Sequence, residues 1–85
     1  MANVTISRAF GMTVRSFREK AGLSQEQFAE KAGLDRTYVS GVERGVRNPT
    51  LEVIHRLACA LEVPMDDLFK SVTQKKPERK FGDAV

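Results

Sequence analysis

The sequence predicts an all-α domain of five helices, on three observations. Apolar side chains recur at helical spacing through Phe10, Val14 and Phe17, and again through Leu51, Ile54, Leu57, Ala58 and Leu61. Such i, i+3/i+4, i+7 stripes mark amphipathic helices. Between the stripes stand start and stop signals: Gly22, Ser24 with Gln27, Gly33, Asp35, Thr50 and Pro64. Residues 24–45, SQEQFAEKAGLDRTYVSGVERG, read as two short helices joined by a tight glycine turn, a helix-turn-helix spacing.

The first helix is expected over about Ile6–Lys20, with Ile6 one turn before the Phe10 stripe and an end at Ala21–Gly22. The second starts at Ser24. There Ser24 and Gln27 form an S-x-x-Q capping box, in which each side chain satisfies the other residue's backbone N–H. Its inner face is Phe28, Ala29 and Ala32. Ala29 falls where the second and third helices cross, so a larger side chain would push them apart. Gly33 suits a turn residue at positive φ, which glycine reaches without steric cost. The third helix has Asp35 as its N-cap and ends near Arg44. Val39 and Val42, three apart, share one face and with Leu34 point to the core. Arg36, Thr37, Ser40, Gly41 and Arg44 form the remaining face, left for solvent or a ligand. Gly41 inside a helix costs about 1 kcal/mol against alanine; close packing against another helix and close approach to DNA both account for it. Gly45–Pro49 reads as a loop, and Thr50 caps the fourth helix. Val63-Pro64 opens a short fifth helix through Phe69, with Asp66 and Asp67 in its first turn. The chain thus divides into a domain over 1–70 and a flexible basic tail over 71–85, which lacks periodicity and contains Pro77 and Gly82.

Composition narrows the function. At 85 residues, 41% hydrophobic and 29% charged, the chain fits one small soluble domain. Its net charge of +3 belongs to the end of the chain, where Lys70, Lys75, Lys76, Arg79 and Lys80 face only Glu78 and Asp83. Residues 1–69 hold as many basic as acidic side chains. Any affinity for nucleic acid must therefore come from where the charges lie. No apolar run approaches the ~18–20 residues of a membrane span, and MANVTISRAFGM lacks the plan of a secretory signal. A lone cysteine, Cys59, forms no internal disulfide and fits a cytoplasmic location. Within the apolar run RLACAL it is expected to be a buried, inert thiol; His55, with no Cys or His at ligand spacing, is expected to be solvated. No metal-ligand cluster, phosphate-cradling glycine loop or nucleophile–base pair stands out, so neither enzyme activity nor a metal or cofactor is expected.

The stretch LSQEQFAEKAGLDRTYVSGVERGVRNPTLEVIHRLACALEV resembles the lambda Cro/repressor-like helix-turn-helix family. It is most like restriction–modification controller proteins and small single-domain transcriptional regulators. The resemblance covers about Val14–Phe69 and is specific in its combination of L-S-Q-E, G-L-D-R-T-Y-V-S and E-R-G-x-R-N-P-T. It implies a compact five-helix lambda-repressor-like domain that binds double-stranded DNA as a homodimer, at a two-fold symmetric operator, to regulate transcription. RNA polymerase or a toxin is a possible protein partner. The resemblance puts Arg36, Thr37 and Ser40 at base edges and Gln25, Tyr38, Arg44, Arg47 and Asn48 on the DNA backbone. It makes Arg18 and Glu43 a charged pair tying the first helix to the third.

The chemistry of these residues agrees. Arginine offers a planar fork for guanine O6 and N7, and helix N-termini hold phosphate. Plainer readings stand beside these roles: Arg36 paired with Asp35 or Glu43, Tyr38 at the edge of the core, Arg47 and Asn48 as ordinary loop residues. Two recognition helices must reach successive grooves about 34 Å apart, so dimerisation needs another surface. Val63, Pro64, Met65, Leu68 and Phe69 are expected to supply it, unless Leu68 and Phe69 merely close the monomer core. The competing function is that of an antitoxin: the same fold, binding a toxin and autoregulating its operon.

Overall fold

Helices α1 (Ile6–Lys20), α2 (Gln25–Ala32), α3 (Arg36–Arg44) and α4 (Leu51–Leu61) are followed by a 3-10 helix over Met65–Val72, in a computed structural model that describes residues 5–72. Three of the four α-helices begin at a side chain that caps them. Thr5 Oγ1 accepts from the Arg8 N–H at 3.1 Å, and Thr50 Oγ1 from the Val53 N–H at 3.2 Å. The capping box forms in full: Ser24 Oγ accepts from the Gln27 N–H at 3.0 Å, and Gln27 Oε1 from the Ser24 N–H at 2.8 Å. Each such cap is worth about 1 kcal/mol. Asp35 stands at the N-cap of α3 but makes no side-chain capping bond. Gly33 turns the chain between α2 and α3 at φ +70°, the left-handed conformation expected of it.

The core is drawn from every helix. Phe28, Leu57, Leu68, Val14, Val39 and Val42 are its largest fully buried side chains, with Phe10, Ala29, Ala32, Ala58 and Leu61 around them. Leu34, Phe17 and Tyr38 pack on its margin. Helix α1 approaches α3 closely at Gly11. A Cβ there would stand 2.7 Å from the Glu43 carbonyl oxygen, and nearer still to that of Val42. The missing side chain lets the two backbones meet.

Four expectations change. Ile6 and Leu51 continue the apolar stripes, yet they are 65% and 72% exposed. Each lies in the first turn of its helix, where the stripe runs past the packed elements. Cys59 is exposed, its Sγ 3.6 Å from His55 Nε2. Leu57, Ala58 and Leu61 occupy the inward face of α4, which leaves Cys59 on the outer one. The closing helix is 3-10 rather than α and runs to Val72. At three residues per turn, Met65 and Leu68 line up on one side. Leu68 is fully buried, where burial of a leucine stabilises by about 1.5–3 kcal/mol; it closes the protomer core and leaves nothing for a dimer surface. Of the other residues expected at such a surface, Val63 and Met65 are half-buried and Pro64 is exposed. Phe69 is 38% exposed, its ring tilted against Phe10 with centroids 5.5 Å apart. The tail expected over 71–85 lies outside the described residues from 73 onward.

Candidate nucleic-acid interface

The outer face of α3 is set by what its inner face must bury. Val39 and Val42 take the core side. Helical geometry then turns Arg36, Thr37, Ser40 and Arg44 outward. Arg36, Thr37 and Arg44 are exposed, and Ser40 is half-buried with its Oγ 3.4 Å from Arg44 Nε, which donates to it. Arg36 and Thr37 begin the helix, where unpaired N–H groups and the positive end of the dipole favour an anion. Arg47 and Asn48 are exposed on the α3–α4 loop. Asn48 Oδ1 accepts from Ser7 Oγ at 3.2 Å, which ties that loop to the start of α1.

Beneath this face runs a chain of polar contacts that reaches the interior. Arg18 on α1 grips Glu43 on α3 with both arms of its fork. Nε donates to Oε2 at 2.6 Å and NH2 to Oε1 at 3.0 Å. The remaining nitrogen, NH1, donates to the Leu23 carbonyl at 2.8 Å. The two side chains are 10% and 3% exposed. The hydrogen bonds that Arg18 donates to Glu43 raise its pKa above the usual value against the lowering effect of burial, and the charges of Glu43 and Glu19 add to the rise. Gln25, the first residue of α2, then bridges outward. Its Nε2 donates to Glu43 Oε1 at 3.0 Å, and its Oε1 accepts from Arg36 NH1 at 3.4 Å. Its second Nε2 hydrogen and its backbone N–H have no hydrogen-bond acceptor among the described residues.

The structure thus draws Gln25, Arg36, Arg18 and Glu43 into one connected set and sets Tyr38 beside Arg47. The Arg47 guanidinium lies over the Tyr38 ring, 5.6 Å from its centroid. Gly41, expected on the open face, is buried. The atoms nearest to the place of its missing Cβ belong to the Arg47 side chain. Reading the sequence missed the Leu23 carbonyl as the third acceptor of Arg18, the Ser7–Asn48 bond and the close approach at Gly11. Only Gly11 had a visible signal, a glycine in mid-helix. Among the described residues no three His, Cys, Asp or Glu side chains converge as a metal ion would need, and no helix is long and apolar enough to cross a membrane.

Comparison with known proteins adds to this geometry. A helix-turn-helix family model, HTH_3, matches residues 14–68. Control protein C.BamHI of Bacillus amyloliquefaciens is 42% identical over 72 residues, which cover 84% of this chain and 89% of that protein. The crystal structure of the restriction–modification controller protein C.AhdI from Aeromonas hydrophila is 49% identical with a TM-score of 0.74, over 74% of this chain and 96% of the other. The biofilm regulator SinR, solved in complex with DNA, is 29% identical with a TM-score of 0.69, over 72% of this chain and 98% of the other.

Proposed function

The chain belongs to the helix-turn-helix family HTH_3 and is a DNA-binding transcriptional regulator, not an enzyme; from that premise we propose that it is a controller-type regulator that binds a two-fold symmetric operator as a homodimer. The observation that carries this reading is the outer face of α3, where Arg36 and Thr37 open the helix and Arg44 ends it, with the loop residues Arg47 and Asn48 alongside. Arg36, Thr37 and Ser40 read base edges. Gln25, Tyr38, Arg44, Arg47 and Asn48 hold the sugar–phosphate backbone, the division of labour by which phosphate contacts position and base contacts specify. The carboxylate of Glu43 stands on the same helix but is turned inward and neutralised by Arg18, so it does not repel phosphate.

The second protomer docks on the surface formed by Val63, Pro64, Met65 and Phe69, in an isologous contact that leaves both α3 helices free. Selection of bound fragments from a random DNA pool at near-physiological salt tests the operator. An enriched inverted repeat, with half-sites about one helical turn apart, is the expected result. Weak, salt-sensitive binding without enrichment refutes it and turns attention to a protein partner. Sedimentation at ~100 μM, well above the concentrations of specific DNA binding, tests the dimer; a monomer mass there removes it.

A further inference from the structure

We propose that Gly41 is a positioning residue for DNA binding: the place of its missing Cβ is a seat that holds the Arg47 arm across α3 and over Tyr38. The inference rests on the reading of Arg47 as a DNA contact and gives it a mechanism. Gly41 lies inside α3, where glycine is a poorer helix former than alanine, and its φ is not positive. The backbone therefore gives no reason for glycine. The neighbour does. A Cβ at Gly41 would stand 2.6 Å from Arg47 Cγ and 3.4 Å from its Nε. The three nearest atoms to that Cβ from beyond its own helix backbone all belong to Arg47.

Arg47 is an exposed residue on a loop, and an unrestrained arginine there loses much rotamer entropy when a ligand fixes it. In this molecule two contacts restrain it beforehand. Its stem rests on the bare helix at Gly41, and its guanidinium lies over the Tyr38 ring at 5.6 Å from the centroid. Both contacts come from α3 itself. The loop cation is thereby held in register with the helix that carries Arg36, Thr37 and Ser40. The loop is anchored from its other side by backbone, where the Val46 N–H donates to the Gly41 carbonyl at 2.9 Å. That bond does not depend on the side chain at position 41. Gly41→Ala therefore leaves the helix and the loop backbone in place and displaces the arm alone.

The test has two readouts, one of them free of DNA. In the free protein, NMR follows the Arg47 δ-protons, which the Tyr38 ring, 5.6 Å from the guanidinium carbon, is expected to shift upfield in wild type. The shift is expected to vanish in Gly41→Ala and in Tyr38→Leu and to persist in Tyr38→Phe, while the Gly41→Ala melting temperature is equal to wild type or higher. The second readout is a double-mutant cycle on a fluorescent 30-base-pair duplex, carrying either the selected repeat or a random sequence. Gly41→Ala and Arg47→Ala are expected to weaken binding to within about twofold of each other, and the double variant by no more than either single change. An upfield shift that survives in Gly41→Ala overturns the seat. So does a Gly41→Ala loss that is as large in the Arg47→Ala background as in wild type. Wild-type affinity in Arg47→Ala, with the ring shift lost in Gly41→Ala, instead refutes the DNA contact and leaves the seat standing.

Discussion

Glu43→Gln is the most informative single change to the fold, because the substitution keeps shape and removes only charge and one acceptor. Glu43 receives three hydrogen bonds: two from Arg18, at 2.6 and 3.0 Å, and one from Gln25 at 3.0 Å. A glutamine has one carbonyl oxygen to answer them. If that oxygen keeps the position shared by Arg18 NH2 and Gln25 Nε2, the new NH2 group faces Arg18 Nε–H, donor against donor. If it turns the other way, it meets two donors instead. Arg18 is left as a buried cation with the Leu23 carbonyl as its remaining strong acceptor.

Removing one partner of a buried pair costs about 3–5 kcal/mol, and the retained oxygen puts Glu43→Gln at the low end, about 3. A domain of this size loses about 4–8 °C of Tm per kcal/mol, so thermal unfolding followed by circular dichroism should fall by about 12–24 °C. The double change Arg18→Met with Glu43→Leu removes both charges and should recover most of that loss. A Glu43→Gln midpoint within ~3 °C of wild type would refute the buried-pair reasoning. The effect should also be independent of pH through the neutral range. The Arg18 pKa is raised in the folded state by its bond to Glu43, so this stability is fully present below the ordinary arginine pKa. Arginine's share of it is lost as pH climbs through the raised one, in strongly alkaline solution.

Gly11→Ala should be severely destabilising. Its Cβ would meet the Val42 and Glu43 carbonyl oxygens, which are backbone and cannot swing aside, so the cost is about 3 kcal/mol or more by overpacking; a urea midpoint equal to wild type would contradict the close approach of α1 and α3. Glu62→Gly should stabilise by up to about 1 kcal/mol, since Glu62 ends α4 at φ +60°, a conformation glycine adopts freely; a lower urea midpoint would show that its side chain matters more than its backbone. Arg36→Ala should weaken operator binding by about 1–3 kcal/mol and relax preference at one base pair per half-site; an equal loss on every duplex would make Arg36 a phosphate contact instead.

The helices were legible because their ends are written in local chemistry. Ser24 with Gln27, Thr50 and Gly33 act within a few residues of themselves, so the sequence carries cause and effect together. The buried faces of α2 and α3 were legible for the same reason: Phe28, Ala29, Ala32, Val39 and Val42 obey one period. Periodicity names the face and not what covers it. That is why Ile6 and Leu51 are exposed although they continue their stripes, and why Cys59 is exposed although apolar neighbours surround it in sequence. Leu68 shows the reverse case. It looked spare after α4 was accounted for, yet the 3-10 helix folds it into the protomer core. Contacts between residues far apart in sequence are harder to read: Ser7 with Asn48 leaves no local mark, and a mid-helix glycine at position 11 does not name Val42 as its neighbour.

The two helical glycines show why a residue type alone does not reveal its role. Gly11 and Gly41 both sit inside helices, and the same propensity cost falls on each. At Gly11 the neighbour is the backbone of α3, so the missing Cβ sets how closely two helices pack and belongs to stability. At Gly41 the neighbour is a flexible side chain from the α3–α4 loop, so the missing Cβ sets where a cation stands. The same division runs through the charges. Residues 1–69 carry as many basic as acidic side chains, so no net field draws the domain to DNA. What makes one face cationic is placement: Glu43, on α3, is turned inward and matched by Arg18, while Arg36, Arg44 and Arg47 stand outward. The buried pair therefore does more than join α1 to α3. It lets α3 carry a carboxylate for packing without presenting that charge on its outer face.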